Sequence, residues 1–156
     1  MVEVGQKAPE FTLKDETGAE HTLSKYLGQG PIVLSFHYFD FTGVCTTHQC
    51  EMSNALNVLA PLGVRVFGIS TDSPFAHKAW KEKEKIAFPL LSDYNKVMLP
   101  SYGLLYDWKE LKGVSRRAVL VLDKEGVVRY KWMTPDQPGN APDIPAVIEA
   151  AKKLVR

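Results

Sequence analysis

Neither sign of charge dominates this chain. It has 19 Lys and Arg against 18 Asp and Glu, a formal net charge of +1. Without a basic excess there is no electrostatic footprint for nucleic acid or an anionic membrane surface. No apolar stretch approaches the roughly 20 residues of a membrane span. The opening Met1-Val-Glu-Val-Gly-Gln-Lys7 has no apolar segment of the kind a secretory signal carries. Cysteine is scarce, with two in 156 residues, too few for a disulfide scaffold. The expected compartment is the cytoplasm, which disfavours structural disulfides. Internal repeats, linkers and low-complexity tracts are missing too. What is left is 45% hydrophobic and 24% charged. That is an ordinary globular composition in a chain long enough for one domain, residues 1–156, with a real core. Two cysteines in such a chain read as redox-active, metal-binding or incidental.

Both cysteines fall in one stretch, Phe36 to Cys50. The apolar run Pro31-Ile-Val-Leu-Ser-Phe36 leads in and reads as a buried strand. A helical pattern leads out, with Met52, Ala55, Leu56 and Leu59 at spacings of three and four. Cys45 therefore sits where a loop becomes a helix. Free N–H groups and the positive end of the helix dipole lie there, and both favour a thiolate over a thiol. On an intact helix Cys45 and Cys50 are about 140° apart around the axis, with Cα atoms about 8.6 Å apart. A disulfide needs them within about 7 Å, so the pair can bridge only if a turn or two unwinds. Cys45 shares the core-facing stripe of His48, Met52 and Leu59. Cys50 lines up with Asn54 and Asn57 on a more polar flank.

The rest of the chain reads in order. Phe11–Leu13 and Glu20–Leu23 flank a turn at Glu16-Thr-Gly18, so a hairpin is expected. Val64–Ser70 is the next strand. Ser73-Pro74 caps and starts a helix that carries Trp80 and the charged run Lys81 to Lys85, read as a solvated face. Phe88–Leu91 is a short strand, and Asp93 caps a short helix over Asn95–Leu99 that Pro100 stops. Tyr102–Trp108 reads as no more than a loop or an edge strand. Arg117–Asp123 and Val127–Trp132 form a hairpin about Lys124-Glu-Gly126. A loop rich in Pro and Gly, Thr134–Pro142, precedes a last helix over Ile144–Val155. A β-α-β crossover followed by an antiparallel hairpin and a helix gives an α/β fold, a mixed central sheet flanked by helices. It resembles a thioredoxin-like fold with an added N-terminal hairpin.

Several motifs then coincide. They are Val4-Gly5 with Ala8-Pro9-Glu-Phe11, Asp40-Phe-Thr-Gly-Val-Cys-Thr-Thr47, Phe88-Pro-Leu-Leu-Ser-Asp93, and Arg117-Ala-Val-Leu-Val-Leu-Asp123 with Gly126. Together they span nearly the whole chain, which resembles the peroxiredoxins. The Cys-x4-Cys spacing is similar to that of the bacterioferritin-comigratory or Q-type subfamily. The signature around that family's reactive cysteine is Pro-x-x-x-Thr/Ser-x-x-Cys with a distant arginine. Thr42 and Cys45 match the threonine and cysteine, and Arg117 matches the arginine, with Arg116 as the neighbouring alternative. Two positions depart from the pattern. Tyr38 stands where the family has proline, and its ring could take over the shielding of the thiolate. His48 stands where a glutamate that orients arginines is common.

The resemblance implies thiol-dependent reduction of hydrogen peroxide and organic hydroperoxides, with no cofactor and no metal. Cys45 would attack the terminal oxygen and become a sulfenic acid. Arg117 would favour the thiolate and hold the oxygens. The Thr42 hydroxyl would donate to sulfur while accepting from the peroxide. The N–H groups of Cys45 and Val44 would complete the cradle, with Tyr38 beside it. Cys50 would resolve the sulfenic acid within one chain. Thioredoxin or a glutaredoxin-like dithiol would reduce the bridge. Intramolecular resolution favours a monomer. Read from the residues alone, His37, His48 and the tryptophans are structural. Two other functions fit the cysteines: general disulfide exchange, though Cys-x-x-Cys is usual there, and a copper-binding chaperone using Cys45, His48, Cys50 and His37.

Overall fold

A computed structural model describes residues 1–134 and 141–155. The apolar run becomes strand β3 (Ile32–Phe36), every residue of it buried. It lies inside a sheet because neither of its faces can be given to water. Before it come β1 (Thr12–Lys14) and β2 (Glu20–Thr22), an antiparallel pair. After it come α1 (Gly43–Leu59), β4 (Arg65–Ser70), α2 (Pro74–Glu84), β5 (Leu90–Ser92) and α3 (Met98–Tyr102). Strands β6 (Leu105–Trp108) and β7 (Leu111–Ser115) make a separate ribbon. Strands β8 (Ala118–Leu122) and β9 (Val128–Met133) and helix α4 (Ile144–Lys153) complete the chain.

Seven strands form one mixed sheet in the order β2-β1-β5-β4-β3-β8-β9. Strand β3 runs parallel to β4 and antiparallel to β8. Alternation along β3 splits the core in two. Ile32, Leu34 and Phe36 pack with Met98, Leu99 and Tyr102 on one face. Val33 packs with Met52, Leu59, Trp80 and Val147 on the other. Met52 and Leu59 of α1 are fully buried, and each contributes about 2 kcal/mol to holding α1 on the sheet. The register that pairs Phe36 with Ala118 is what matters for function. It sets Arg117, one residue before β8, beside the point where β3 gives way to α1.

Two readings of the sequence need correcting. The short third helix starts at Met98 and runs through Pro100 rather than ending there. Proline in a first turn costs no hydrogen bond, and the Asp93 carboxylate takes up the N–H groups of Val97, Met98 and Leu99. The unassigned stretch around Tyr102–Trp108 contains β6, which turns into β7 through Lys109 at a φ of 55°. Lysine carries no turn signal there. Ser73 caps α2 as expected, accepting from the Ala76 N–H at 3.1 Å. Most of the expected loop over Thr134–Pro142 lies outside the described residues.

Candidate active site

The link from β3 to α1 is short and tightly made. Phe41 turns the chain with a φ of 66°, a left-handed conformation that costs a non-glycine residue energy and persists only where surroundings enforce it. Thr42 follows in extended geometry as the residue before the helix. Its hydroxyl donates to the Phe39 carbonyl at 2.9 Å, not to the sulfur of Cys45. The turn at Phe41 folds that carbonyl back within reach. The threonine oxygen keeps its lone pairs for accepting. The first helical bond runs from the Thr46 N–H to the Thr42 carbonyl. The amides of Gly43, Val44 and Cys45 thus precede the helix's own bonding pattern and converge on one spot. Val44 itself is exposed.

Cys45 lies on the inner stripe of α1 with His48, Gln49, Met52, Ala55 and Leu59, and is only 1% exposed. Arg117 reaches it, with Nη2 3.6 Å from Sγ. The guanidinium also stacks over the Tyr38 ring at 4.6 Å. Tyr38 is held by a hydrogen bond between its hydroxyl and Thr134 Oγ1 at 2.9 Å. Its ring packs with Tyr106 and Trp108 of the β6–β7 ribbon, and Val114 closes the cluster around Cys45. So Tyr38 roofs both sulfur and guanidinium. Arg116 points elsewhere, donating to the Thr134 carbonyl and stacking on Tyr106.

Behind the cysteine runs a buried polar chain whose proton positions follow from its partners. The Ser35 carbonyl needs a donor, so Gln49 turns its NH2 toward it and toward His37 Nδ1. Gln49 Oε1 then accepts the Ser35 hydroxyl proton. Ser35 Oγ in turn accepts from His48 Nε2 at 2.7 Å. His48 Nδ1 is left with a bare lone pair, buried and without a partner among the described residues. Burial above all, with the Arg117 charge adding to it, holds the His48 ring well below its ordinary pKa, so it is neutral. Going the other way, His37 Nε2 donates to Asp40 Oδ1, and His77 Nδ1 donates to Asp40 Oδ2, both at 2.6 Å. His77 Nε2 donates to the Leu91 carbonyl. Burial alone would push the Asp40 carboxyl up, but the hydrogen bonds of the two histidines lead the effects that outweigh it and bring it to about 2.

With Asp72, these residues form a group whose potential ligand atoms lie within 4.8 Å of one another. The proton positions do not suit a metal. His37 Nδ1 already accepts from Gln49, so the nitrogen facing Asp40 carries hydrogen, and His77 donates from both nitrogens. A metal here would have to displace the histidine protons that Asp40 accepts. Neither do Cys45, His48 and Cys50 make a ligand set. Cys45 is buried on the inner stripe of α1, while Cys50 lies on another flank against Glu84.

Cys50 is half-buried, although Asn54 and Asn57 on the same flank are exposed. Its thiol faces Glu84 of α2, with Sγ 3.9 Å from Oε2. Burial, then the charge and hydrogen bond of Glu84, push its pKa up. Both cysteines are free thiols here.

Comparison with known proteins now adds a name to this geometry. A sequence profile described as the AhpC/TSA family matches residues 4–131. The chain belongs to the AhpC/TSA family. Its relatives are peroxiredoxins. A Coxiella burnetii protein named as a bcp peroxiredoxin is 38% identical over 135 residues, covering 84% of this chain and 88% of its own. The chloroplastic peroxiredoxin Q of Oryza sativa subsp. japonica is 38% identical over 138 residues, covering 88% of this chain and 62% of its own. Among solved structures, peroxidoxin BcpB of Mycobacterium tuberculosis superposes with a TM-score of 0.88 over 99% of both chains, at 23% identity, which speaks for the fold alone. A peroxiredoxin-like protein from Aquifex aeolicus superposes at 0.85 with 29% identity, over 99% of this chain and 88% of its own. The fold is therefore the thioredoxin-like peroxiredoxin fold, and the chain is a thiol-dependent peroxidase, an oxidoreductase. Of the residues singled out from the sequence, Cys45, Arg117 and Tyr38 lie together, while Thr42 turns its hydroxyl to Phe39, Val44 is exposed and Cys50 faces Glu84. Sequence reasoning missed the Asp40 relay, although His37 and Asp40 stand three apart in the motif, and it missed Glu84, for which the sequence carries no signal.

Proposed function

We propose that Cys45 is the peroxide-reducing thiol and Cys50 its resolving partner within the same chain. The observation that carries this is the Arg117 guanidinium 3.6 Å from the buried Cys45 sulfur, beneath the ring of Tyr38. A guanidinium at that distance can stabilise negative charge that develops on the reacting atoms. On this reading the amides of Val44 and Cys45 and the Thr42 oxygen, all at the helix start, complete the cradle. A hydroperoxide placed there meets donors for both oxygens and an acceptor for its proton. Attack by sulfur on the terminal oxygen breaks the O–O bond, leaves Cys45 as a sulfenic acid and releases water or an alcohol. The fixed donors stabilise the charge growing on the leaving oxygen. Cys50 then forms a disulfide with Cys45, with loss of water, and a dithiol of the thioredoxin or glutaredoxin type restores both thiols by exchange. No second subunit is needed, so the reading extends to a monomer working in the reducing cytoplasm.

The test is thiol counting before and after one equivalent of hydrogen peroxide, without oxygen, with mass spectrometry of the product. Wild type should lose two thiols to an internal bridge. Cys50→Ser should consume one equivalent and stop as a sulfenic acid, and Cys45→Ser should consume none. Turnover should persist with a chelator present. Full dithiol-driven turnover by Cys45→Ser would sink the assignment.

A further inference from the structure

The surface of α1 that carries Cys50 is stitched at two levels to α2 and at a third to Ala87, just beyond its end. The Trp80 indole N–H donates to Thr46 Oγ1 at 3.2 Å. The Cys50 thiol donates to Glu84 Oε2 at 3.9 Å. The Ala87 N–H donates to Ser53 Oγ at 2.8 Å. Thr46, Cys50 and Ser53 recur at spacings of four and three, so they form one stripe. Trp80 and Glu84 form the facing stripe, one turn apart. Cys50 is therefore the middle rung of a ladder. When the helix start unwinds, the rungs at Cys50 and Ser53 can hold while the rung at Thr46 opens.

Glu84 is the one charged group placed against this thiol among the described residues. Lys81 is engaged with the Phe88 carbonyl and Glu16. Lys83 stands over the Phe41 ring. Glu82, Lys85 and, on α1, Glu51 are exposed. The bond to Cys50 is the only described hydrogen bond of the Glu84 side chain. A carboxylate next to a thiol has two opposite effects. As a charge it opposes the thiolate. As an acceptor it can remove the thiol proton during attack.

We propose that Glu84 is the general base of the resolving step, a catalytic residue in contact with the reacting Cys50 sulfur. This rests on the assignment of Cys50 as the resolving thiol. As Cys50 Sγ attacks the sulfenic sulfur of Cys45, its S–H bond breaks and the proton passes to Glu84. The S–S bond forms, and the S–O bond of Cys45 breaks. The departing hydroxide takes the proton from Glu84 and leaves as water. The Cys50 sulfur is oxidised as much as the Cys45 sulfur is reduced, and no outside reagent is required. Until the sulfenic acid appears, the same carboxylate keeps Cys50 a thiol, so it does not compete with Cys45 for peroxide.

The experiment is rapid mixing of the reduced full chain with one equivalent of hydrogen peroxide. Timed alkylation and mass spectrometry separate the sulfenic acid from the disulfide. Wild type should resolve at a rate nearly flat through neutral pH. Glu84→Gln should leave sulfenic acid formation unchanged, which also shows that the variant folds. It should slow disulfide formation on the order of 100-fold at pH 7, with a rate that climbs as the solution turns alkaline. Glu84→Asp, a base of shorter reach, should fall between the two. If Glu84→Gln resolves as fast as wild type, or faster because a repelling charge is gone, the proposal is wrong. If wild type itself forms no Cys45–Cys50 bridge, the assignment of Cys50 fails first, and the proposal with it.

Discussion

Oxidation should melt the first turn of α1 and little else. Both cysteines lie inside the helix as observed, since α1 spans Gly43–Leu59. Their Cα atoms are then about 8.6 Å apart, beyond the roughly 7 Å a disulfide allows. The bridge therefore cannot form without unwinding. The structure also says where unwinding stops. His48 and Gln49 are fastened to Ser35 of β3 by three hydrogen bonds, so residues 43–47 can leave and the second turn stays. Those residues suit the change. Thr46 and Thr47 are β-branched, with Val44 before them, and the Thr47 hydroxyl already competes for the Gly43 carbonyl at 3.1 Å. Freeing the carbonyls of residues 42–45 releases roughly four helical bonds. At about 1 kcal/mol each, that is about 4 kcal/mol of local stability, or about a 1000-fold rise in amide exchange. Hydrogen exchange read by mass spectrometry on reduced, oxidised and re-reduced protein checks this. The amides of residues 46–49 should lose protection on oxidation and regain it on reduction. Residues 32–36 and 117–122 should stay protected throughout. Equal protection of the helix start in both forms, with the bridge confirmed, would refute the reasoning.

Two other outcomes are expected. Arg117→Met should slow sulfenic acid formation on the order of 100- to 1000-fold, the usual cost of losing a donor aimed at developing charge. Arg116→Met should change it little, because Arg116 points to Thr134 and Tyr106. A large effect from Arg116 alone would overturn the placement. Acid should weaken the fold through Asp40, whose pKa falls from 3.8 to about 2 in the folded state. A depressed carboxyl contributes stability above its unfolded pKa and loses it as pH falls through the folded value. About 2 kcal/mol should vanish between pH 4 and pH 2. The difference in unfolding free energy between wild type and Asp40→Asn should shrink across that window, and a constant difference would refute the role of Asp40.

What the sequence disclosed follows from how local its signals are. Strand β3 and the inner stripe of α1 were legible because apolar spacing alone dictates which faces are buried. The Ser73 cap and the β8–β9 hairpin were legible from turn and cap chemistry. The extent of α3 was hidden because Asp93 satisfies its first amides from outside the helix, which lets Pro100 sit within it. Ribbon β6–β7 was hidden because its turn uses Lys109. In the site, Cys45, Thr42 and Arg117 could be named from the motif, but the Thr42 proton depends on a carbonyl brought round by Phe41. The partner of Cys50 was illegible for a different reason. Asn54 and Asn57 on that flank of α1 are exposed, so nothing local marks Cys50 as covered, and Glu84 is one charge in a run of five.

The register that pairs Phe36 with Ala118 has a consequence for how the chain matures. Cys45 and Arg117 are 72 residues apart in sequence, and only the β3–β8 pairing brings them together. During synthesis the cysteine is made long before its arginine. Until β8 docks, Cys45 has no guanidinium beside it and no Tyr38–Arg117 roof over it. On the assignment of Cys45 as the peroxide-reducing thiol, a nascent or partly folded chain is then slow toward peroxide. Reactivity appears only when the central strands are in register, so the appearance of peroxide reduction is itself a report that the sheet has closed.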